Sequence, residues 1–343
     1  MELKGTNNDK FWKNHTLNDF QISAIHKNVH LSKITSVCFL KDGRIVSTSD
    51  DQFILIYNKN TFKIEIRINE TKRICYLNVN KDGILICCLA GTFINLYEIK
   101  GKNYKIFQTI KPYSFLINII GKFDDSFSIQ KYIELKNGNI ALLVWGYAIC
   151  FYEKNKKSHK YSYLNKYSEN VIDLCEIDNN KYCIALKFND LLQFLDMNLN
   201  QITGTIECSS FSFSESKNKL LLMNKKDLFL IGKYDIVLVD IKKKQKIKEI
   251  KFEISDKLSS IYKLTDNTII IGCYNNYIDQ LQYDEKKQKF KKVSCIGIKN
   301  PDSSALNIVN SISIFNNDLI VSPYYNKNTK FSLIIYKFKK INK

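Results

Sequence analysis

A chain of 343 residues, 45% hydrophobic and 25% charged, is long enough for a large core and has the composition of an ordinary soluble globular protein. Its opening, MELKGTNNDKFWKN, lacks the apolar stretch of a secretory signal, and no apolar run reaches the length of a membrane-spanning helix. The net charge of +18 points toward anionic partners, but only Arg44, Arg67 and Arg73 are arginines, and the abundance of lysine, asparagine, isoleucine, tyrosine and phenylalanine also fits A/T-rich codons.

In chain order, residues 1–19 read as a polar N-terminal tail pinned by Trp12. Phe20–His26, within FQISAIHKN, alternates like a strand. The stretch 37–68, VCFLKDGRIVSTSDDQFILIYNKNTFKIEIRI, then sets apolar alternation between tight turns. It recurs at 77–110, with Asp42-Gly43 and Asp82-Gly83 forty positions apart and Tyr57 and Tyr97 at the same spacing. A third copy at 133–164 turns at Asn137-Gly138 and ends its third apolar burst on Tyr152; a fourth at 175–206 turns at Asn179. Weaker copies at 220–252, 261–293 and 311–338 turn near Lys225, at Asp266-Asn267 and at Asn317-Asp318, and the last stops one strand short.

Asp-Gly and Asn-Gly turns supply the positive φ angles of tight hairpins, so each copy reads as four antiparallel strands. Units of four strands and about 40–45 residues are blades of a β-propeller, each burying its faces against its neighbours. The expectation is therefore an all-β, seven-bladed propeller forming one domain over 20–338, followed by a basic tail at 339–343. Phe20–His26 is expected to complete the last blade against Phe331–Phe338, which closes the ring and removes an exposed edge.

The pattern resembles the WD-repeat (WD40) β-propeller family from about residue 20 to 338. In that family a histidine, a serine or threonine, an aspartate and a tryptophan form a hydrogen-bonded structural tetrad. The resemblance implies His30, Ser49, Asp51 and Tyr57 for those places. Departures are substantial: the Trp-Asp pair is replaced by Tyr57-Asn58, Tyr97-Glu98, Tyr152-Glu153, Leu195-Asp196 and Val239-Asp240, and no other copy carries the histidine. This is a divergent propeller, held more by core packing than by repeated polar tetrads.

No catalytic or phosphate-binding motif is present, neither H-E-x-x-H, nor G-x-S-x-G, nor a P-loop. Asp50-Asp51 and Asp124-Asp125 lack the spaced oxygens of a calcium loop. The ten cysteines form no C-x-x-C pair and there are four histidines, so no metal or other cofactor is expected. The thiols read as reduced, and the compartment as cytoplasmic, with the nucleus an alternative.

The repeat also places the lysines. Runs between the third and fourth strands of copies two, three, five and six hold Lys102 and Lys105, Lys154, Lys156, Lys157 and Lys160, Lys242, Lys243, Lys244 and Lys246, and Lys286, Lys287 and Lys289. Such turns open on one face of a propeller, so this set forms a candidate basic face. The plain alternative is a row of solvated turns. The other face carries SDDQ, LAGT, KFND and YNNY, and the resemblance implies that peptides bind there. The chain has neither the adjacent arginines of phosphoinositide-binding propellers nor an RNP motif. The sequence thus points to a non-catalytic scaffold for protein partners. A second reading is an electrostatic binder of RNA or anionic membrane.

Overall fold

A computed structural model describes residues 11–12, 14–90, 93–111, 129–144, 148–158, 160–167, 171–178, 182–187, 191–196, 201–207, 220–224, 227–232, 235–251, 258–273, 277–297, 311–316, 319–326 and 330–339. Its regular structure is almost wholly antiparallel strand. Hydrogen bonding groups the strands into four-stranded sheets: the first at 34–69, the second at 74–110, the third at 129–167, the fourth at 171–207, the fifth at 220–251, the sixth at 258–297, and a closing sheet at 313–338 whose outermost strand is Phe20–His30. Innermost strands of neighbouring sheets meet one another, and several of them line an axial cavity.

Five of these sheets, not seven, are complete blades, which corrects the expected count. In the five, the innermost strands are Ile34–Phe39, Ile74–Val79, Ile129–Glu134, Val171–Asp178 and Leu258–Thr265. The fifth and closing sheets have only the three-residue Leu220–Leu222 and Ser313–Phe315 there, so 26 strands are of full length. The physical difference is a bulge. Each complete blade shifts register after its first inner pair, as between Ile34 and Ser36 or Ile74 and Tyr76, and the strand runs on. Among the described residues the two short strands make three pairs with no shift. Period-two alternation does not reveal a bulge, so by pattern alone the copies looked alike.

Neighbouring sheets share apolar clusters. Ile34, Leu55 and Tyr57 of the first pack on Leu333 and Ile335 of the closing sheet; Phe229 and Leu238 of the fifth pack on Ile261 and Ile269 of the sixth. Comparable clusters join the remaining neighbours. Burying both faces of a sheet in this way is what the alternating side chains require.

The expected glycine turns fall where the sequence puts them. Gly43 and Gly83 have φ of 88° and 89°, and a Cβ on Gly43 would lie 2.9 Å from the Phe315 ring. The turns expected at Asn179, Lys225 and Asn317-Asp318 lie outside the described residues.

Phe20–His30 pairs antiparallel with Lys330–Phe338, from Phe20 opposite Phe338 to His26 opposite Leu333. The segment ahead of it is pinned to the propeller, with Trp12 buried. Leu17 is buried too, and its N–H donates to Gln280 Oε1 at 2.9 Å and Ser294 Oγ at 3.0 Å. Thr16 and Asp19 form a capping box around the 3-10 turn Leu17–Asp19. This segment therefore packs on the sixth and closing sheets. No helix among the described residues is long and apolar enough to cross a membrane.

Candidate functional site: buried polar chains and the lysine turns

His30 lies on the approach to the first sheet and is buried. Its Nδ1 is 2.9 Å from Asp51 Oδ2, and its Nε2 is 2.8 Å from Ser47 Oγ, which lies 3.0 Å from the Tyr57 hydroxyl. With the proton on Nδ1, His30 donates to Asp51, Ser47 donates to His30 and Tyr57 donates to Ser47, so each group is satisfied. The serine in this chain is Ser47, which corrects the expected Ser49. Both lie on one face of the strand Ile45–Ser49, so spacing could not choose between them. Ser49 instead donates to the Ser32 carbonyl at 2.9 Å and accepts from the Asp51 N–H at 3.2 Å.

Burial works against the Asp51 carboxylate, but the His30 hydrogen bond, with the backbone N–H groups of Leu31 and Phe53, holds its pKa below the usual range. Asp51 thus ties the approach loop to the start of the strand Phe53–Tyr57. Each of its contacts is internal, so the chain His30–Asp51–Ser47–Tyr57 is a structural clasp.

The second sheet carries a different clasp at equivalent positions. Forty residues after His30 stands Glu70, after Ser47 stands Cys87, and after Tyr57 stands Tyr97. The Glu70 side chain is buried; it accepts directly from the Tyr97 hydroxyl and from Asn95 Nδ2, at 3.2 Å to each carboxylate oxygen. Thr109 Oγ1 donates to Asn95 Oδ1 at 2.9 Å and completes the group. Burial first, and then the Glu70 charge, raises the Cys87 thiol well above its ordinary value. Cys175 is pushed up to about 12, mainly by burial. Cys38, Cys75, Cys87, Cys88, Cys150, Cys175, Cys273 and Cys295 are free thiols.

In the third sheet Tyr152 pairs with Ile140, as Tyr57 pairs with Ile45, which places Leu142 at the serine position. Its buried hydroxyl has no hydrogen-bond partner. Outer-strand bulges mark the equivalent positions farther on as Leu195, Val239 and Leu281, where no polar group remains.

The axial cavity is about 520 Å³, and its lining includes Thr35, Ser36, Asn78, Ser260, Tyr262 and Ser313. The rest of the described lining is mainly apolar, with Lys41 and Asn316 and no carboxylate or imidazole. Among the described residues no group of three or more His, Cys, Asp or Glu side chains is placed to hold a metal ion.

The lysine turns lie at one end of the sheets, together with the first hairpin turns, as antiparallel order demands. Neighbouring turns interlock there. Lys154 Nζ bonds Asp82, Asn224 Nδ2 donates to Glu285 at 2.9 Å, and Lys248 Nζ donates to the Lys287 carbonyl at 3.3 Å. Of the candidate basic residues, Lys105 pairs with Glu98, Lys246 with Glu249 and Lys287 with Asp284, at 2.8, 2.7 and 3.9 Å. Lys244 donates to the Thr203 carbonyl at 2.8 Å and lies over the Phe194 ring. Lys102, Lys156, Lys157, Lys160, Lys242, Lys243, Lys286 and Lys289 are exposed, and none has a carboxylate partner among the described residues. On the other face, much of the expected peptide-binding set (91–92, 188–190 and 274–276) lies outside the described residues.

No family model and no curated protein matches this chain. The solved structure of U3-55K, a WD40 β-propeller protein, is similar to it, with a TM-score of 0.66 over 93% of this chain and 98% of that one, at 13% identity. The fold is a β-propeller, like that of this WD40 protein. At that identity the likeness shows the fold alone.

Within this propeller, the clasp of the second sheet was legible in principle. The forty-residue offset that aligns the glycine turns also aligns Glu70 with His30. It was missed because a search for a second histidine passes over a carboxylate in its place.

Proposed function

We propose that this chain is a non-catalytic scaffold that presents the loops and turns of a rigid propeller to protein partners in a larger assembly. The observation that carries this reading is the use made of the buried polar chemistry. His30, Asp51 and Glu70 each spend their hydrogen bonds on holding strands together, and the described lining of the axial cavity is apolar side chains, hydroxyls, two amides and Lys41, with no carboxylate or imidazole. What the molecule offers outward is a fixed frame with exposed turns, which suits binding more than bond-making.

The test is purification of the tagged full chain from its own cells, with and without nuclease, followed by size-exclusion chromatography and mass spectrometry. Stoichiometric protein partners that stay bound after nuclease treatment support the scaffold. Partners that leave with the nucleic acid overturn it.

A second reading rests on the eight exposed, unpaired turn lysines: an electrostatic binder of RNA or anionic membrane through that face. Salt separates the two. Counterion-driven binding weakens by decades over a few-fold rise in salt, whereas a shape-matched protein interface changes little.

A further inference from the structure

The lysine turns share their end of the propeller with a second feature that the repeat pattern did not single out. Large apolar side chains are exposed at Ile64, Tyr104, Ile106, Leu164, Ile202 and Val293. All six lie within the first five residues of an outermost strand, the part that follows the lysine turn, and they come from five different sheets. In the first, second, third and sixth sheets an exposed apolar side chain follows a lysine-bearing turn; the fourth has Ile202 after a turn without lysine, and the fifth has its lysines alone.

The partner that fits must accept both features. Single-stranded nucleic acid binds by stacking bases on aromatic rings and by the forked contacts of arginine. Here five of the six exposed side chains are aliphatic, and the arginines are engaged elsewhere. Arg44 is buried against Asp42 and the Gly101 carbonyl, Arg67 lies over Phe53, and Arg73 sits 3.8 Å from Asp50. Lysine heads on flexible stems, with aliphatics beside them, are the chemistry of a bilayer interface. The ammonium groups lie among lipid phosphates and carboxylates, and the aliphatics enter the headgroup–acyl boundary. Turns gathered at one end of a ring can meet a flat surface together.

We propose that this end of the propeller docks on the surface of an anionic phospholipid bilayer, with the unpaired turn lysines against the headgroups and the outer-strand aliphatics at the acyl boundary. The proposal rests on the electrostatic reading of the lysine turns and names its ligand.

Flotation of the full chain with vesicles tests it, using phosphatidylcholine alone and phosphatidylcholine with about a third phosphatidylserine, and polyuridylate as a parallel probe. The expected result is binding to the anionic vesicles only. Joint Lys242→Glu, Lys243→Glu, Lys286→Glu and Lys289→Glu substitution should weaken it on the order of a thousandfold or more. The pair Lys156→Glu and Lys157→Glu, in another sheet, should weaken it by about thirtyfold. Ile106→Ser with Leu164→Ser should also cost about tenfold on vesicles and leave polyuridylate binding unchanged. Retention of polyuridylate without any vesicle binding overturns the membrane assignment and leaves the electrostatic reading standing. Failure to bind either probe removes both. Vesicle binding that ignores the serine substitutions overturns the proposal as well, because it reduces the contact to charge alone.

Discussion

The first and third sheets place a tyrosine at the same register position, and only one of the two hydroxyls has anything to bond. Tyr57 ends a chain through Ser47 and His30 to Asp51, whereas Tyr152 faces Leu142 at the serine position and its hydroxyl is unpaired. The second sheet stands between them, with Tyr97 bonded straight to the buried carboxylate of Glu70. One backbone position therefore runs from a full clasp, through a rewired clasp, to a tyrosine retained for its ring. The difference shows that this propeller does not depend on a repeated polar network. Packing between sheets holds all the blades, and among the described residues the tyrosine-centred clasp forms in the first two, while buried Asp173 ties the third, fourth and fifth sheets through Lys131 and the Leu220 N–H.

Three measurements would sharpen or break that comparison. The largest effect is expected from His30→Ala, which strips Asp51 and Ser47 of a shared partner in a buried site; a loss of about 3 kcal/mol in urea unfolding is expected. A change near zero would mean that the clasp is ornamental and that the first sheet stands on packing alone.

A tyrosine-to-phenylalanine series ranks next, since each member removes one oxygen from an equivalent site. Tyr97→Phe leaves the Glu70 carboxylate short of a donor and should cost about 2 kcal/mol. Tyr57→Phe leaves Ser47 with His30 and should cost about 1 kcal/mol. Tyr152→Phe removes an unpaired hydroxyl and should change stability by less than about 0.5 kcal/mol, or raise it. Equal losses at all three positions would contradict the hydrogen-bond assignments.

The smallest effect is pH dependence at the closing strand. His26 packs against the Tyr57 and Phe62 rings, its Nε2 has no partner, and burial lowers its pKa. The unfolded chain then takes the proton first, so the stability His26 maintains is complete above about pH 6.5 and declines as pH falls below it. Asp51 acts in a separate, lower window: its folded pKa is depressed, so its contribution is present above about pH 3.8 and is lost on further acidification. Thermal unfolding at about pH 7.5 and about pH 5.5 should show a drop that His26→Phe reduces. An unchanged drop would place the acid sensitivity elsewhere.

The sequence by itself determined the repeating four-stranded unit, because alternation and Asp-Gly or Asn-Gly turns are local signals. It also determined where Phe20–His26 goes, because a last copy one strand short needs an outer partner. Only the tertiary structure decided which sheets are complete blades, since the inner bulges that lengthen five innermost strands leave no mark on period-two alternation. It likewise decided between Ser47 and Ser49, which share a face and differ only in which one the His30 ring can reach. Glu70 lay between these cases, its offset from His30 legible but its partnership with Tyr97 visible only in three dimensions. The exposed aliphatics beside the lysine turns belong to the structure entirely. Ile106 and Leu164 read as ordinary strand residues until the outermost position of their strands leaves them uncovered.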